Sequence, residues 1–441
     1  MTDRRPTRTP APPNYPSSVD DSPQEFVGTT PTPEECPVAT DAATTAAPVV
    51  FWLGVNGKLH TCTLDDSGVE DGSVVRVNRS KSRTVSLVCT RDYLAALSGL
   101  TVAVYDPHTG TQLWRVIVDV PIDERPLSRV MGAVVDGETL FVCAGYHVLM
   151  KHLSDGFSIG SESLREFLPP GTGPSFSTLL LCNRSMFIGL PRTCVCFSRG
   201  HGRRCLWDRP LCAESPSRVS SFPQPSDIPT FAALSDERIM VCCSGRAYAV
   251  STADGNNTNE PLVLAPEWHG PMLTLYDKAM DKGRAFVLVR DTLWAVSVYD
   301  DEAFKEDRHL RVFSTTRGSQ QISMAWDPES KLIFVAGYSE IVCVTITTFE
   351  VKWRKHYKPE DKSALVLRFD KKLQRLVFSL ASQVRMFDPD DGTQIITTYL
   401  PPLEEHSYCV TLCTQESSYD INASGFLHNN FIASLFFSLH Q

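Results

Sequence analysis

The sequence has no run of about 18 consecutive apolar residues, which is the length that a membrane-spanning helix needs. Its longest apolar stretch near an end, residues 431–437, is too short to cross a bilayer. The opening residues, MTDRRPTRTPAPPNYP, contain arginines with no apolar segment behind them, which argues against a secretory signal. We therefore predict a soluble cytoplasmic protein without a membrane span.

An excess of positive charge is also missing. The chain carries 42 lysines and arginines against 51 aspartates and glutamates, a formal net charge of −9. This balance argues against nucleic acid as a partner, except within a ribonucleoprotein assembly, and against anionic membranes. No phosphate-binding G-x-x-x-x-G-K-[ST], dinucleotide-binding G-x-G-x-x-G or zinc-peptidase H-E-x-x-H motif occurs. We predict a protein that is not an enzyme and binds no cofactor.

The chain has two parts that differ in amino-acid composition. Residues 1–48 hold ten prolines among Thr, Ser, Ala and Asp, with only two aromatic residues, and such a segment cannot bury enough apolar surface to offset its ordering entropy. We predict a disordered tail there. From Val49 onward, short runs of Val, Leu, Ile, Phe and Cys alternate with clusters of Gly, Asp, Asn and Ser. This pattern predicts an all-β domain over residues 49–416.

One phrase is written twice. Residues 105–114 read YDPHTGTQLW and residues 387–396 read FDPDDGTQII. Asp106 and Asp388 lie 282 residues apart, which divides into six steps of 47, within the span of a four-stranded propeller blade. We call the position of Asp106 in each copy of the phrase its anchor. When degraded copies are counted, eight anchors are predicted: Thr63, Asp106, His152, Arg199, Ser251, Ser297, Thr345 and Asp388.

The phrase has a physical meaning. An apolar strand runs into a turn in which the aspartate accepts backbone amides and the glycine four residues later takes a positive φ. A tryptophan eight residues after the aspartate is a large wedge suited to packing between neighbouring sheets. The residues assigned to this repeat are Asp106, Gly110, Trp114, Gly156, Gly255, Trp353, Asp388 and Gly392.

The stretch VYDPHTGTQLW at 104–114 resembles the docking motif of the quinoprotein (PQQ-like) β-propeller superfamily, and WD40 repeats are a similar alternative. The resemblance covers roughly residues 50–400 and implies one propeller of seven or eight four-stranded blades. We favour eight, because residues 408–413 form an orphan strand that can complete the first blade and close the ring. Residues 417–441 fit no repeat, and we expect them to pack on the ring rather than to act as an apolar docking segment.

The same resemblance raises the question of quinone chemistry. Quinoprotein dehydrogenases carry two adjacent cysteines that form a ring disulfide beside the cofactor, and this chain has Cys242 and Cys243. The pair lies in a strand-like run, RIMVCC, so we predict that the two side chains point to opposite faces. No set of calcium ligands is recognised either. The resemblance is therefore taken as that of a non-catalytic member.

The most unusual local region is TCVCFSRGHGRRCLWDRPLC, residues 193–212. Its soft ligands are weak candidates for zinc, because the spacing is not that of common structural sites. These ligands are Cys194, Cys196, His201, Cys205 and Cys212. Its basic residues are candidates for contacting acidic segments of a protein partner. These are Arg199, Arg203, Arg204 and Arg209.

The function predicted from these features is that of a scaffold. Loops at the two mouths of a propeller present a rigid composite surface, and we predict protein partners within a larger assembly. The alternative is a propeller enzyme or small-ligand-binding protein of the quinoprotein-like class. Carboxylates, histidines or amides converging in the channel would favour that alternative.

Overall fold

The computed structural model describes residues between 49 and 413, with gaps in the connecting segments. The longer gaps are 55–57, 77–84, 119–129, 168–177, 199–204, 212–226, 277–282, 299–303, 315–321, 359–364 and 400–406. The shorter gaps are 66–67, 91, 99, 108, 183–184, 259, 269, 271, 328, 372 and 381–382. The tails predicted over 1–48 and 417–441 lie outside the described residues.

Across the described residues, thirty-two strands form eight antiparallel four-stranded sheets, which we number as blades. Blade 1 contains β1 (Val49–Gly54), β2 (Lys58–Asp65), β3 (Gly68–Arg76) and β32 (Ser407–Cys413). Blade 2 contains β4 (Val85–Cys89), β5 (Leu94–Ser98), β6 (Thr101–Tyr105) and β7 (Gln112–Ile117). Blade 3 contains β8 (Val130–Asp136), β9 (Thr139–Ala144), β10 (His147–His152) and β11 (Ser158–Ser163). Blade 4 contains β12 (Thr178–Cys182), β13 (Ser185–Leu190), β14 (Thr193–Ser198) and β15 (Cys205–Pro210).

The second half repeats the same order. Blade 5 contains β16 (Thr230–Ala233), β17 (Arg238–Cys243), β18 (Arg246–Ser251) and β19 (Leu262–Val263). Blade 6 contains β20 (Met272–Leu275), β21 (Arg284–Val289), β22 (Thr292–Ser297) and β23 (Lys305–Arg311). Blade 7 contains β24 (Ile322–Asp327), β25 (Leu332–Gly337), β26 (Glu340–Thr345) and β27 (Glu350–His356). Blade 8 contains β28 (Leu365–Asp370), β29 (Arg375–Leu380), β30 (Gln383–Phe387) and β31 (Gln394–Tyr399).

The blades close into a ring. The first strand of each sheet from blade 2 to blade 8 contacts the first strand of the next, and β32 contacts both β28 and β4. β32 also pairs with β1 in antiparallel register, from Val49 opposite Cys413 to Gly54 opposite Ser407. The eight-blade prediction and the closure by strands from both ends are confirmed, and the architecture is that of a β-propeller.

The core lies between the blades. Six clusters of buried apolar side chains each draw on two neighbouring sheets, over the boundaries from blade 2 to blade 8. RIMVCC and LIFVAG, the second strands of blades 5 and 7, are buried along their whole length, and those of blades 3, 4 and 6 are buried except at their first residue, because both faces are covered. The stacking that the sequence predicts is therefore confirmed. In the described part of the chain, Arg165–Phe167 forms a single 3-10 turn, and no helix is long and apolar enough to cross a membrane.

The register corrects two of the predicted anchors. In blades 2, 3, 6, 7 and 8 a bulge interrupts the pairing of the third strand with the fourth, between the second and the first residue before the anchor. In blade 4 the same bulge lies between Cys196 and Phe197. The anchor of blade 4 is therefore Ser198, and the prediction of Arg199 was wrong by one residue, because the turn that follows is longer. Thr63 pairs with Glu70 inside β2, so it is not at a turn either.

Candidate interaction surface

The repeated phrase forms one turn between the third and fourth strands. In blade 2 the amide of Gly110 donates to the carbonyl of Asp106 at 2.9 Å, and the amide of Thr109 donates to the Asp106 carboxylate at 3.2 Å. Gly110 has a φ of +68°. The same backbone bond recurs at His152 to Gly156, Ser251 to Gly255, Thr345 to Phe349, and Asp388 to Gly392. The role predicted for the aspartate and glycine is confirmed.

Each tryptophan of the phrase locks its blade to the next one. The indole nitrogens of Trp114, Trp207 and Trp353 donate to backbone carbonyls one residue after the next anchor, at 2.6, 3.1 and 2.9 Å. The ring lies on the next turn's glycine so closely that an added Cβ would lie 2.7 Å from Trp114 at Gly156 and 2.5 Å from Trp207 at Gly255. The glycine is thus required twice, for its positive φ and for the space that the indole occupies.

The boundary between blades 6 and 7 uses a reversed arrangement. Arg308 has the tryptophan position of blade 6 and donates to the carbonyl of Thr348 at 3.1 Å. The glycine position of blade 7 is Phe349, with a φ of +58°, and its buried ring stacks on Phe286 of blade 6 at 6.2 Å. The large side chain here comes from the turn instead of the preceding strand. A boundary has room for one large side chain, either at the tryptophan position or at the glycine position of the next turn. Because blade 6 has no tryptophan there, the turn of blade 7 tolerates a residue other than glycine.

Buried polar groups on the innermost strands serve the fold. Thr274 of β20 donates its hydroxyl to the carbonyl of Phe231 in β16 at 2.9 Å. Ser323 of β24 accepts the amide of Leu367 in β28 at 3.1 Å. Carboxylates at the ends of β24 and β28 accept amides of their own turns, as Asp327 does from Glu329 at 3.0 Å. These hydrogen bonds join or cap neighbouring strands, although the second carboxylate oxygen of Asp327 is buried without a hydrogen-bond partner among the described residues.

A buried carboxylate ties blade 7 to the segment that follows blade 6. Glu340 is 0% exposed and accepts the amide of Ser314 at 2.9 Å and a second hydrogen bond from its hydroxyl. The guanidinium of Arg354 donates to Oε2 of Glu340 at 2.5 Å, the same oxygen that accepts the Ser314 amide. Burial opposes ionisation, but the Ser314 hydrogen bonds and the Arg354 charge outweigh it and hold the pKa of Glu340 below its usual range. Glu340 is therefore a structural anion.

The cysteine- and arginine-rich region does not form a ligand cluster in the described residues. Cys194 and Cys196 are fully buried in the apolar layer between blades 4 and 5, and burial raises the pKa of Cys196 to about 12. Cys205 is exposed. Arg209 donates to the carbonyl of Gly255, so its guanidinium contacts blade 5. The remaining candidates, His201, Cys212, Arg199, Arg203 and Arg204, lie outside the described residues.

The adjacent cysteines do not form a ring disulfide. Neither Cys242 nor Cys243 is in a disulfide, and both are buried. Cys242 packs in the cluster between blades 5 and 6, whereas Cys243 packs in the cluster between blades 4 and 5. The prediction that they point to opposite faces is confirmed.

The outer strands differ around the ring. In blades 6 and 7 they are covered by charge, since β23 reads KEDRHLR and β27 reads EVKWRKH. In blade 8 the outer strand exposes one large apolar side chain, Ile395. In blades 2 to 5 the outer strands expose six: Leu113 and Ile117 of β7, Phe157 and Ile159 at β11, Leu206 of β15 and Val263 of β19. Ile117 is 68% exposed and Phe157 is 70% exposed. We call these six residues the apolar rim. Sequence reasoning missed it, although Leu113, Ile159 and Leu206 each directly precede a tryptophan position.

No family model and no curated protein matches the sequence. Solved structures do match in shape. Dihydro-heme d1 dehydrogenase NirN, in complex with DHE, matches with a TM-score of 0.58 and 10% identity over 87% of this chain and 77% of that one. Sqt1 from Saccharomyces cerevisiae matches with a TM-score of 0.55 and 11% identity over 72% of this chain and 86% of that one.

A third match is the C-terminal WD40 domain of Sif2, with a TM-score of 0.52 and 9% identity over 69% of this chain and 82% of that domain. At such identities the likeness concerns the fold alone. The chain is a β-propeller similar in fold to both WD40 and quinoprotein-like propellers.

Proposed function

We propose that this protein is a non-catalytic scaffold that binds protein partners through the rim of its propeller, as a subunit of a larger assembly. The observation that carries the proposal is the apolar rim. Large apolar side chains on the outer strands of four consecutive blades form a sector that differs from the charged outer strands of blades 6 and 7. Grouped exposed apolar residues rimmed by polar ones are typical of protein interfaces.

Rigidity supports the same conclusion. The tryptophan locks and the cluster between each pair of blades hold the outer strands in fixed relative positions. A partner therefore meets a preorganised surface and loses less ordering entropy on binding. WD40 propellers such as Sif2 and enzymes such as NirN share this frame, so the frame itself does not decide between binding and catalysis. The distribution of exposed apolar residues favours binding.

The test is capture of partners from native cells with quantitative mass spectrometry. We expect Ile117→Lys combined with Phe157→Lys to reduce specific partners at least tenfold, because both side chains are exposed and a lysine would have to be desolvated in an interface. Thr347→Lys, at an exposed turn of blade 7, is the matched control and should capture partners as the wild type does. Equal recovery with all three proteins would refute the proposal.

A further inference from the structure

Four members of the apolar rim lie at one mouth of the propeller. The strands of each sheet alternate in direction, so the innermost strand ends, and the outermost strand begins, at the mouth that carries the anchor turns. We call it the anchor mouth. Leu113, Ile159 and Leu206 are the second residues of β7, β11 and β15, and Phe157 immediately precedes β11. Exposed apolar side chains of three consecutive blades are therefore grouped at the anchor mouth.

A fifth member, Ile117, faces blade 1. Trp114 of the same strand packs towards blade 3, since its indole donates to the carbonyl of Leu153 and lies on Gly156. Val116 packs against the same cluster between blades 2 and 3. Side chains alternate between the two faces of a strand, so Ile117 lies on the opposite face of β7, which is turned towards blade 1, and it is 68% exposed.

The last described strand ends at the anchor mouth, next to blade 2. β32 is the innermost strand of blade 1, and Cys413 at its end pairs with Val49 at the start of β1. β32 also contacts β4, the innermost strand of blade 2. The chain beyond Cys413 therefore starts from the mouth at which Leu113, Phe157 and Ile159 are exposed.

The sequence beyond Cys413 contains a segment suited to cover these side chains. Residues 426–439 read FLHNNFIASLFFSL, with four phenylalanines and no aspartate, glutamate, lysine or arginine. Burial against apolar surface stabilises a segment of this composition, and it is most favourable where the surface itself is apolar. The charged outer strands β23 and β27 do not offer such a surface, whereas the apolar rim does.

The connection is long enough to bring this segment to blades 2 and 3. Residues 414–425 join Cys413 to Phe426, and when extended they span at most roughly 43–47 Å. One step between packed sheets is about 10 Å and three steps between paired strands are about 14 Å, so β7 lies about 24 Å from β32, and β11 about one sheet further. A segment tethered at this range has an effective concentration on the order of mM at the rim, which favours it over the same segment of a second copy.

We propose that residues 426–439 cover the apolar rim of blades 2 and 3 in the free protein, so that a partner binds there only after displacing them. The side chains covered are Leu113, Ile117, Phe157 and Ile159, which otherwise leave a grouped apolar surface in water. The inference rests on the scaffold function and adds regulation to it. The apparent affinity for a partner is reduced by the fraction of molecules in which the rim is uncovered, and release of the segment raises it.

Photo-crosslinking in the full chain, with p-benzoylphenylalanine in place of Phe431, reports where the segment lies. After irradiation of dilute protein, we expect crosslinks that arise within one molecule and join the segment to peptides containing β7 or β11. Leu113→Lys combined with Phe157→Lys should lower the crosslinking yield at least fivefold, because the lysines would have to be desolvated beneath the segment. Thr347→Lys, at an exposed turn of blade 7, is the matched control and should leave the yield unchanged.

Charges placed within the segment measure its release. Phe431→Asp combined with Phe436→Asp should raise hydroxyl-radical labelling of Phe157 at least threefold and raise the capture of specific partners, because the new carboxylates oppose burial. Ser417→Asp combined with Ser418→Asp adds the same charge outside the apolar segment and should change neither quantity. Circular dichroism and melting confirm that each variant folds.

Crosslinks to other blades or between two molecules, or equal labelling of Phe157 in the wild type and both aspartate variants, would overturn the inference. If partners were then still lost with the Ile117 and Phe157 variant, the scaffold proposal would stand without it. Crosslinks at β7 and β11 with no gain in partner capture on release would instead support the covering of the rim and refute the rim as the partner site. The two proposals therefore fail in distinguishable ways.

Discussion

Replacing Gly255 by alanine separates the two demands on the glycine of the repeated turn. Its φ of +71° costs an alanine about 1–2 kcal/mol. The new Cβ would also lie 2.5 Å from the Trp207 ring, so the ring or the turn must move, and such overpacking costs about 1–3 kcal/mol. We expect Gly255→Ala to lower the free energy of unfolding by about 2–5 kcal/mol.

Gly137→Ala is the matched control. Its φ is +53°, and an added Cβ there would meet nothing within 4 Å, so only the cost of the backbone conformation, about 1–2 kcal/mol, remains. A chain of this size loses roughly 1–2 °C of melting temperature per kcal/mol. Thermal and urea unfolding should therefore rank wild type above Gly137→Ala, and Gly137→Ala above Gly255→Ala.

A double-mutant cycle isolates the contact. Trp207→Ala alone should cost about 3–5 kcal/mol, because it empties a buried position and removes the bond to Thr252. In that background Gly255→Ala should cost only about 1–2 kcal/mol, like the control, which leaves a coupling energy of about 1–3 kcal/mol. Strict additivity of the two substitutions would refute the claim that the indole and the glycine share one space.

Three further outcomes are expected. Arg308→Trp should destabilise the ring by about 1–3 kcal/mol because its indole meets Phe349, and Phe349→Gly in the same chain should recover most of that loss in urea unfolding, whereas an additive loss would contradict the reversed lock. Glu340 has a lowered folded-state pKa, so its contribution is present above pH about 4.5 and disappears as the pH falls through that lower pKa. The difference in urea midpoint between wild type and Glu340→Gln should therefore be largest near pH 7 and narrow towards pH 3, and a constant difference would exclude the Arg354 network as its source. Among the described cysteines, iodoacetamide should modify Cys205 before the buried ones in peptide mapping by mass spectrometry, and equal rates would contradict the burial pattern.

The fold could be predicted because the same turn-forming residues recur between the third and fourth strands of its blades. Asp106 accepts amides of the turn and Gly110 supplies its positive φ, and the spacing from Asp106 to Asp388 reports the blade length. The eighth blade could be predicted because residues 408–413 had no sheet partner nearby in the sequence. The placement of Cys242 and Cys243 on opposite faces could be predicted because the pair lies in a strand-like run.

The surface could not be predicted in the same way. That Trp207 packs on Gly255, the glycine of the following repeat, depends on the angle between blades, which local patterns do not encode. The anchor at Ser198 was displaced because the longer turn shifted the spacing by one residue. The arginines at 199, 203 and 204 stay a prediction as partner contacts.

Pairing of β1 with β32 places a constraint on synthesis. More than 350 residues separate the two strands, so at about 5–20 residues per second the ribosome needs roughly 20–70 seconds to deliver the second after the first. Until then the nascent chain carries an unfinished sheet at its beginning, with one edge available to any other strand. A premature stop codon anywhere before residue 407 would leave the edge of β1 permanently unpaired, even if all the other blades were complete. The truncated product would be prone to aggregation.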